Sequence, residues 1–594
     1  MTFLPIVERE LRVAARKRST FWLRVAAALV ALIIAGGFLI TARAGAFPLG
    51  PSSFGKGLFA VLTWLSLGLA LSAGLFFTSD CLSEEKREGT LGFLFLTDLR
   101  GYDVVFGKLL ATSLRAICAL LAVFPILGIT LLMGGVTGLQ FWRTILALIN
   151  ALFISLAAGM FVSAISRDPQ KALSATLLLL VLLTFGGPAM DGAIAFASGT
   201  TFNPLLSHFS PGYLFTAAAS WGQPPIAVTL VVNDLVGWIL IGLTCVLLPR
   251  TWQQKTEQQS AVNTTSTPPQ TRRAKRRNAE RAQLLVPNPV LWLASRYRWQ
   301  RIPVWFVAVL LAGGSALLLG SGLSWGWLMA GYSASALILV VYLTVSSQAA
   351  RFFVEAQRSG LLELLLATPL TVTQIVQGQW RAMLRLFAAP LVICVVAQLV
   401  GTYAAQRSTF MAVGRAAAAT NAPTKGVTVI TTQNAGGTTT TRVSITAVAH
   451  GAIGLGTSIT FVANLCALSW FGMWMGLTSR NTNMATLKTI TFVQIIPWFV
   501  ITFASGMIIP LVLLPKLMSS ASSVSSQTMV WYSLLTSIVG LLLALGKDVG
   551  FIFIARQRLY SEFRERALHV MSPIRIAPPP PLPKMEAPPV IGTG

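Results

Sequence analysis

Few residues in this chain could carry chemistry. The segment GPSSFGKG, Gly50 to Gly57, comes within one residue of the phosphate loop G-x-x-x-x-G-K-[ST]. Such a loop wraps phosphates in backbone N–H groups and needs its last hydroxyl for Mg²⁺. Gly57 stands where that hydroxyl belongs, so the chain is not expected to hydrolyse ATP itself. His208, His450 and His569 are far apart, and Cys81, Cys118, Cys245, Cys394 and Cys466 form no C-x-x-C pair. No metal site, disulfide framework or catalytic group is therefore expected. What remains are ionisable residues inside apolar runs, which are functional candidates by position. Asp234, beside Asn233, is a candidate for binding a cationic substrate or relaying protons on the substrate path, but the preferred expectation is that it faces the bundle interior or the outer interface, paired or protonated. Lys547 and Asp548 are adjacent and are placed near the inner end of the last run.

The elements that must position these residues follow from composition. The 594 residues are 54% hydrophobic and 11% charged, against about 25% charged in a soluble domain. Apolar runs of about 20 residues match a hydrocarbon core of roughly 30 Å. They cover 21–41, 58–79, 109–133, 142–165, 172–188 and 226–248, then 304–322, 325–347, 380–402, 452–477, 485–511 and 530–555. Basic residues Arg9 to Arg18 and the triplet Ala42-Arg43-Ala44 could mark a signal peptide, but the first run is too long for one.

The fold class is thus an all-α polytopic membrane protein of about 12 transmembrane helices, arranged as two homologous six-helix repeats with both termini cytoplasmic. Residues 1–249 form the first repeat, 250–283 a basic cytoplasmic linker, 284–556 the second repeat, and 557–594 a Pro-rich cytoplasmic tail. Of 45 Lys and Arg, eight fall on one face, Arg115 lies within a run, and the other 36 lie on the opposite face. That excess marks the cytoplasm and explains the net charge of +26 without invoking nucleic acid. Between runs, residues 406–449 carry GVTVITT and TTTRVSITAV around QNAGG, which predicts a small outer β-hairpin.

The repeat is carried by a charged stretch. EEKREGTLGFLFLTDLRGYDVVFG, Glu84 to Gly107, aligns without a gap on EAQRSGLLELLLATPLTVTQIVQG, Glu355 to Gly378, 271 residues on, with nine of 24 positions identical. GMFVSAISRDPQKA from Gly159 pairs with GMWMGLTSRNTNMA from Gly472, and LPIVERELR with NPVLWLASR. In each copy a charged helix emerges, and Gly89 or Gly360 ends it in a left-handed turn. Leucines three apart, Leu91 and Leu94 or Leu362 and Leu365, then form a short amphipathic helix. Thr371 and Gln374 predict a capping box for the helix that follows; Arg100 and Asp103 predict a weaker cap in the first copy.

These residues resemble the permease subunits of ABC transporters in the type-2 exporter class. The family's first cytoplasmic loop reads like E-x-E-R-G-T-L-E-x-L-L-x-T-P-L-S, ending in G-K. Glu84, Arg87, Gly89, Thr90, Leu91, Leu94, Thr97, Leu99, Gly107 and Lys108 fit it, as do Glu355, Arg358, Gly360, Leu362, Glu363, Leu365, Leu366, Thr368, Pro369, Leu370, Thr371 and Gly378. The segment from Pro5 to Arg18 looks like the family's interfacial helix. Asp98 and Gln379 depart from the pattern, so the two loops need not dock equally.

The resemblance implies coupling loops that dock on two cytoplasmic ABC ATPase subunits, with Leu91 and Leu94 facing the partner or the membrane side of its groove and Glu84, Arg87 and Glu88 near the rim. ATP and Mg²⁺ would sit on those partners, and no cofactor on this chain. One copy of this chain per complex would suffice, in the lipid bilayer of a prokaryotic cytoplasmic membrane. A proton-coupled secondary transporter, or a membrane scaffold doing mechanical work, are the alternatives. The substrate is not legible.

Overall fold

A computed structural model of the chain describes residues 18–43, 51–96, 100–198, 203–220, 226–251, 288–295, 301–321, 326–420, 431–433, 439–441, 445–479, 481–503 and 526–569. Where they are described, the twelve predicted runs lie on helical chain. In the first half these are α1 (Arg18–Arg43), α2 (Pro51–Ala73), α3 (Cys81–Glu88), α4 (Thr90–Leu96), α5 (Gly101–Leu121), α6 (Phe124–Met133), α7 (Gly138–Ile165), α8 (Pro169–Val181), α9 (Gly187–Ser198), α10 (Pro211–Ala219) and α11 (Ala227–Thr251). The second half has α12 (Pro289–Ala294), α13 (Arg301–Ser321), α14 (Gly326–Arg358), α15 (Leu361–Ala367), α16 (Val372–Thr420), α17 (Ile445–Thr478), α18 (Thr482–Ile490), α19 (Ile496–Phe503), α20 (Ser526–Ser561) and α21 (Phe563–His569). Among the described residues, nine helices are long and apolar enough to cross a membrane. The linker, the tail and the helix predicted from Pro5 to Arg18 lie outside the described residues, except for Arg18, Arg250, Thr251 and the stretch 557–569.

Among the described residues, the only strands form the predicted hairpin. Strand β1 (Thr431–Gln433) pairs antiparallel with β2 (Thr439–Thr441), with Thr431 opposite Thr441 and Gln433 opposite Thr439. β-branched threonines favour extended chain.

Two helix crossings organise the halves. In the first, α2 gives way to a wide π turn at Gly74–Thr78, which packs on the middle of α7. A Cβ on Gly159 would lie 2.0 Å from the Thr78 hydroxyl, and one on Gly74 would lie 1.9 Å from the Ser155 carbonyl. With no larger side chain between them, side-chain hydroxyls bond the facing backbone: Gly74 N–H donates to Ser155 Oγ at 2.9 Å, and Thr78 Oγ1 to the Leu156 carbonyl at 3.1 Å. Close approach through small residues and polar bonds is how helices associate in lipid, where burial of apolar surface gives no drive. In the second half α14 crosses α17 alike, with Gly472 against Ala349 and Gly476 against Ala350.

The halves share a core. The large apolar cluster of the second half, around Val340, Phe353, Phe387 and Leu468, also takes in Leu75, Leu173 and Leu177 of the first. Helix α8 makes the junction, packing on α13, α14 and α18. The counterpart of the α8–α14 contact under the repeat, α2 or α3 against α18, makes no comparable contact.

Candidate docking site on the paired loops

Both loops are built alike. Helix α3 ends at Gly89 with φ 73° and ψ 2°, and α14 ends at Gly360 with φ 70° and ψ 2°. This left-handed turn is open to glycine and costs an L-residue about 1–2 kcal/mol. Gly89→Ala and Gly360→Ala are therefore each expected to lower the midpoint of heat-induced loss of monodisperse protein. Gly128→Ala, in ordinary helix with nothing within 4 Å of the added methyl, should leave it unchanged.

Upstream of the glycine the same contact recurs: Lys86 Nζ donates to the Ala164 carbonyl, and Gln357 Nε2 donates to the Leu477 carbonyl at 2.9 Å. One residue further, Arg87 donates to the Arg167 carbonyl at 3.3 Å and Arg358 donates to Asn481 Oδ1. Each loop thus rests on the turn that follows the fourth long apolar run of its own half. Glu84 of the first loop also lies within electrostatic reach of Arg358 of the second, so the two loops share one face.

The short helices α4 and α15 follow. Leu91 and Leu362 are each 2% exposed, so they anchor the loops inside the bundle. Leu91 thus faces the bundle rather than solvent. It packs in the first half's own core with Leu82, Val104 and Val105, because the turn at Gly89 folds the start of α4 back onto the helices. The side chain of Leu94 lies outside the described residues; Leu365 is half-buried against the second core. The outward apolar residues are Leu96, 81% exposed, and Leu364, 66% exposed. Glu84, Arg87, Glu88 and Glu363 are exposed beside them. Sequence reasoning missed Leu96 and Leu364, although a large apolar side chain in a charged segment was the available signal.

The bracing differs. In the first loop Lys108 Nζ meets Glu85 Oε1 at 2.7 Å, and Thr90 Oγ1 donates to Glu85 Oε2 at 3.0 Å, tying α3 to α5. Asp103 accepts the Arg100 N–H at 3.1 Å, half of a capping box. In the second, Ala356 and Gln379 stand at the positions of Glu85 and Lys108. There the predicted box is complete: Gln374 N–H donates to Thr371 Oγ1 at 3.3 Å, and Thr371 N–H to Gln374 Oε1 at 3.0 Å. Asn288, just before α12, donates to the Gln374 carbonyl at 2.8 Å.

Behind the loops, one buried arginine joins the halves. Arg351, its side chain 6% exposed, reaches Asp168 Oδ2 at 3.0 Å and Gln170 Oε1 at 2.9 Å in the first half, and Glu355 Oε1 at 2.6 Å in its own. Gln170 Nε2 then donates to the Ser347 carbonyl at 2.7 Å. Under the repeat Arg351 corresponds to Asp80, Asp168 to Asn481 and Gln170 to Asn483. The corresponding contact is a single bond at 3.5 Å from Asn483 Nδ2 to Asp80 Oδ2. Asp80 is instead held within its own half by Arg87, at 2.9 and 3.2 Å. The junction is therefore strong on one side and weak on the other.

The intramembrane candidates are satisfied within single halves. Asp234 Oδ1 accepts from Asn150 Nδ2 at 2.6 Å, so it faces α7. Lys547 Nζ lies 2.7 Å from Asp548 Oδ1 and donates to the Asn464 Oδ1 at 3.4 Å and to the Val493 carbonyl at 3.2 Å. Lys547 lies 14 residues before Ser561, about 21 Å along a helix. At its level the π turn Thr491–Ile495 offers it the Val493 carbonyl. The near-phosphate-loop segment is helical from Pro51 onward, so its backbone N–H groups after the first turn are engaged in helix bonds rather than open to phosphate.

Compared with known families, residues 4–248 match the ABC-2 family transporter protein. A comparison with curated proteins finds no match.

Proposed function

We propose, from the match of residues 4–248 to the ABC-2 family transporter protein, that this chain is a membrane-spanning part of an ATP-driven exporter, with two permease units fused in one polypeptide. A member of this family is the membrane permease component of an ABC transporter and associates with ABC ATPase subunits. In our reading, residues 284–556 are the second permease unit, 250–283 the linker that joins it, and the loop face is cytoplasmic.

The observation that carries the reading is the pair of matching loops. Each turns at a left-handed glycine, buries one leucine, and presents another at its tip. Two such tips on one face suit two ATPase subunits, which would hold the ATP and Mg²⁺. Closure of those subunits on ATP would draw the tips together and bias the bundle between inward- and outward-open states. The substrate path would run between the halves, along α8 and α14.

The test is native mass spectrometry of the complex purified through a tag on this chain. A core of one copy of this chain with two ATPase subunits is expected. Two copies of this chain in a stable core would refute the built-in dimer. Purification without any ATPase, with transport intact and driven by a proton gradient, would favour the secondary-transporter reading instead.

A further inference from the structure

At the loop-side end of the second half, Trp470 of α17 forms the floor between α16 and α20. Trp380 of α16 stacks on it, ring centroids 5.2 Å apart, and Tyr560 of α20 approaches at 6.4 Å. The Arg556 guanidinium sits 5.9 Å over the same indole. Trp470 lies eight residues before the end of α17, roughly 12 Å along the axis, which is the depth at which tryptophan and tyrosine gather at a membrane interface. Arg381 and Arg385 follow Trp380 on the exposed side of α16, one turn apart, and Arg556 is exposed as well. Among the described residues none of these three arginines forms an ion pair.

We propose that this aromatic floor and its three arginines form a binding site for the headgroup of an anionic phospholipid. An indole under a guanidinium occupies its face and leaves the N–H groups at its edge directed outward, where they can grip phosphate oxygens in pairs. The half-buried rings offer a flat apolar wall to the glycerol and upper acyl chain. Basic clusters between helices at this level are suited to acidic headgroups.

The first half supplies an internal control. Its equivalent positions, 271 or 313 residues earlier, hold Leu109, Leu110, Leu114, Ala157, Leu243 and Leu247. Leu110, Leu114 and Leu243 face outward there, and the neighbouring Arg115 turns in over Phe77. A generic need to anchor helices at the interface would apply to both halves; the aromatic and basic residues are concentrated in one. This inference does not depend on the exporter reading.

The experiment is native mass spectrometry of the full chain released from mixed micelles holding equal phosphatidylglycerol and phosphatidylcholine. Phosphatidylglycerol should be retained preferentially, and each arginine should contribute roughly fivefold to that preference, as about 1 kcal/mol per basic residue near a charged surface implies. The triple variant Arg381→Gln/Arg385→Gln/Arg556→Gln should lose it, while Arg564→Gln, exposed on α21, should keep it. Equal retention of the two lipids by the native chain would overturn the proposal. So would an unchanged preference in the triple variant, or displacement of the lipid by millimolar inorganic phosphate, which would mark a site for free phosphate. Full retention of the preference by Trp470→Leu would overturn the role given to the floor.

Discussion

Replacing Arg351 with methionine is expected to loosen the two halves and to cost about 3 kcal/mol, because removing one partner of a buried ion pair strands the other. Asp168 and Gln170 would both lose their guanidinium contacts, at the junction where Leu75, Leu173 and Leu177 enter the second core. The measurement is the midpoint of heat-induced loss of monodisperse protein in detergent. A double-mutant cycle with Asp168→Asn isolates the pair. Its coupling should clearly exceed that of Asp80→Asn with Asn483→Ala, whose single bond is 3.5 Å long and partly exposed. Equal coupling on the two sides would show that the asymmetry carries no energy. If it holds, motion of the halves should begin on the Asp80 side, where less must be broken.

The second large effect is on docking. Leu96→Asp with Leu364→Asp should abolish recovery of ATPase subunits with the chain while leaving its elution profile unchanged. An apolar anchor at the centre of an interface contributes about 2 kcal/mol or more, and an aspartate adds the cost of burying a charge. Two such anchors together exceed what a transient complex can lose. Leu91→Asp makes the contrast, since that residue is in the core; it should reduce folded protein itself. ATPase recovery unaltered in the Leu96/Leu364 variant would remove these tips from the interface.

Much of this architecture is legible without coordinates. Apolar runs of spanning length force helices, since a backbone in hydrocarbon must satisfy its own hydrogen bonds. Charge placed Glu84 to Glu88 and Glu355 to Arg358 outside the hydrocarbon, and the glycines that close those helices are local features readable from one residue each. The β-branched and polar residues around QNAGG predicted the strand pair β1–β2 for the same reason: local preference and tertiary outcome agree. Even the pairing of the two loops was recoverable, because 271 residues separate identical charged and glycine positions that hydrophobicity alone does not demand.

Facing and partnership needed the tertiary structure. Leu91 and Leu96 belong to one short apolar stretch, and only the direction set by the Gly89 turn sends one into the core and the other to solvent. Lys547 and Asp548 are adjacent in sequence, but only the packing of α17 and the π turn Thr491–Ile495 against α20 gives Lys547 the Asn464 and Val493 oxygens. Arg351 carries no motif at all. Its importance comes from Asp168 and Gln170, more than 180 residues away in sequence, and no local preference encodes so distant a meeting. Sequence determines which segments enter the membrane because that is a property of each segment; the packing of the halves decides which charges meet, because that is a property of pairs.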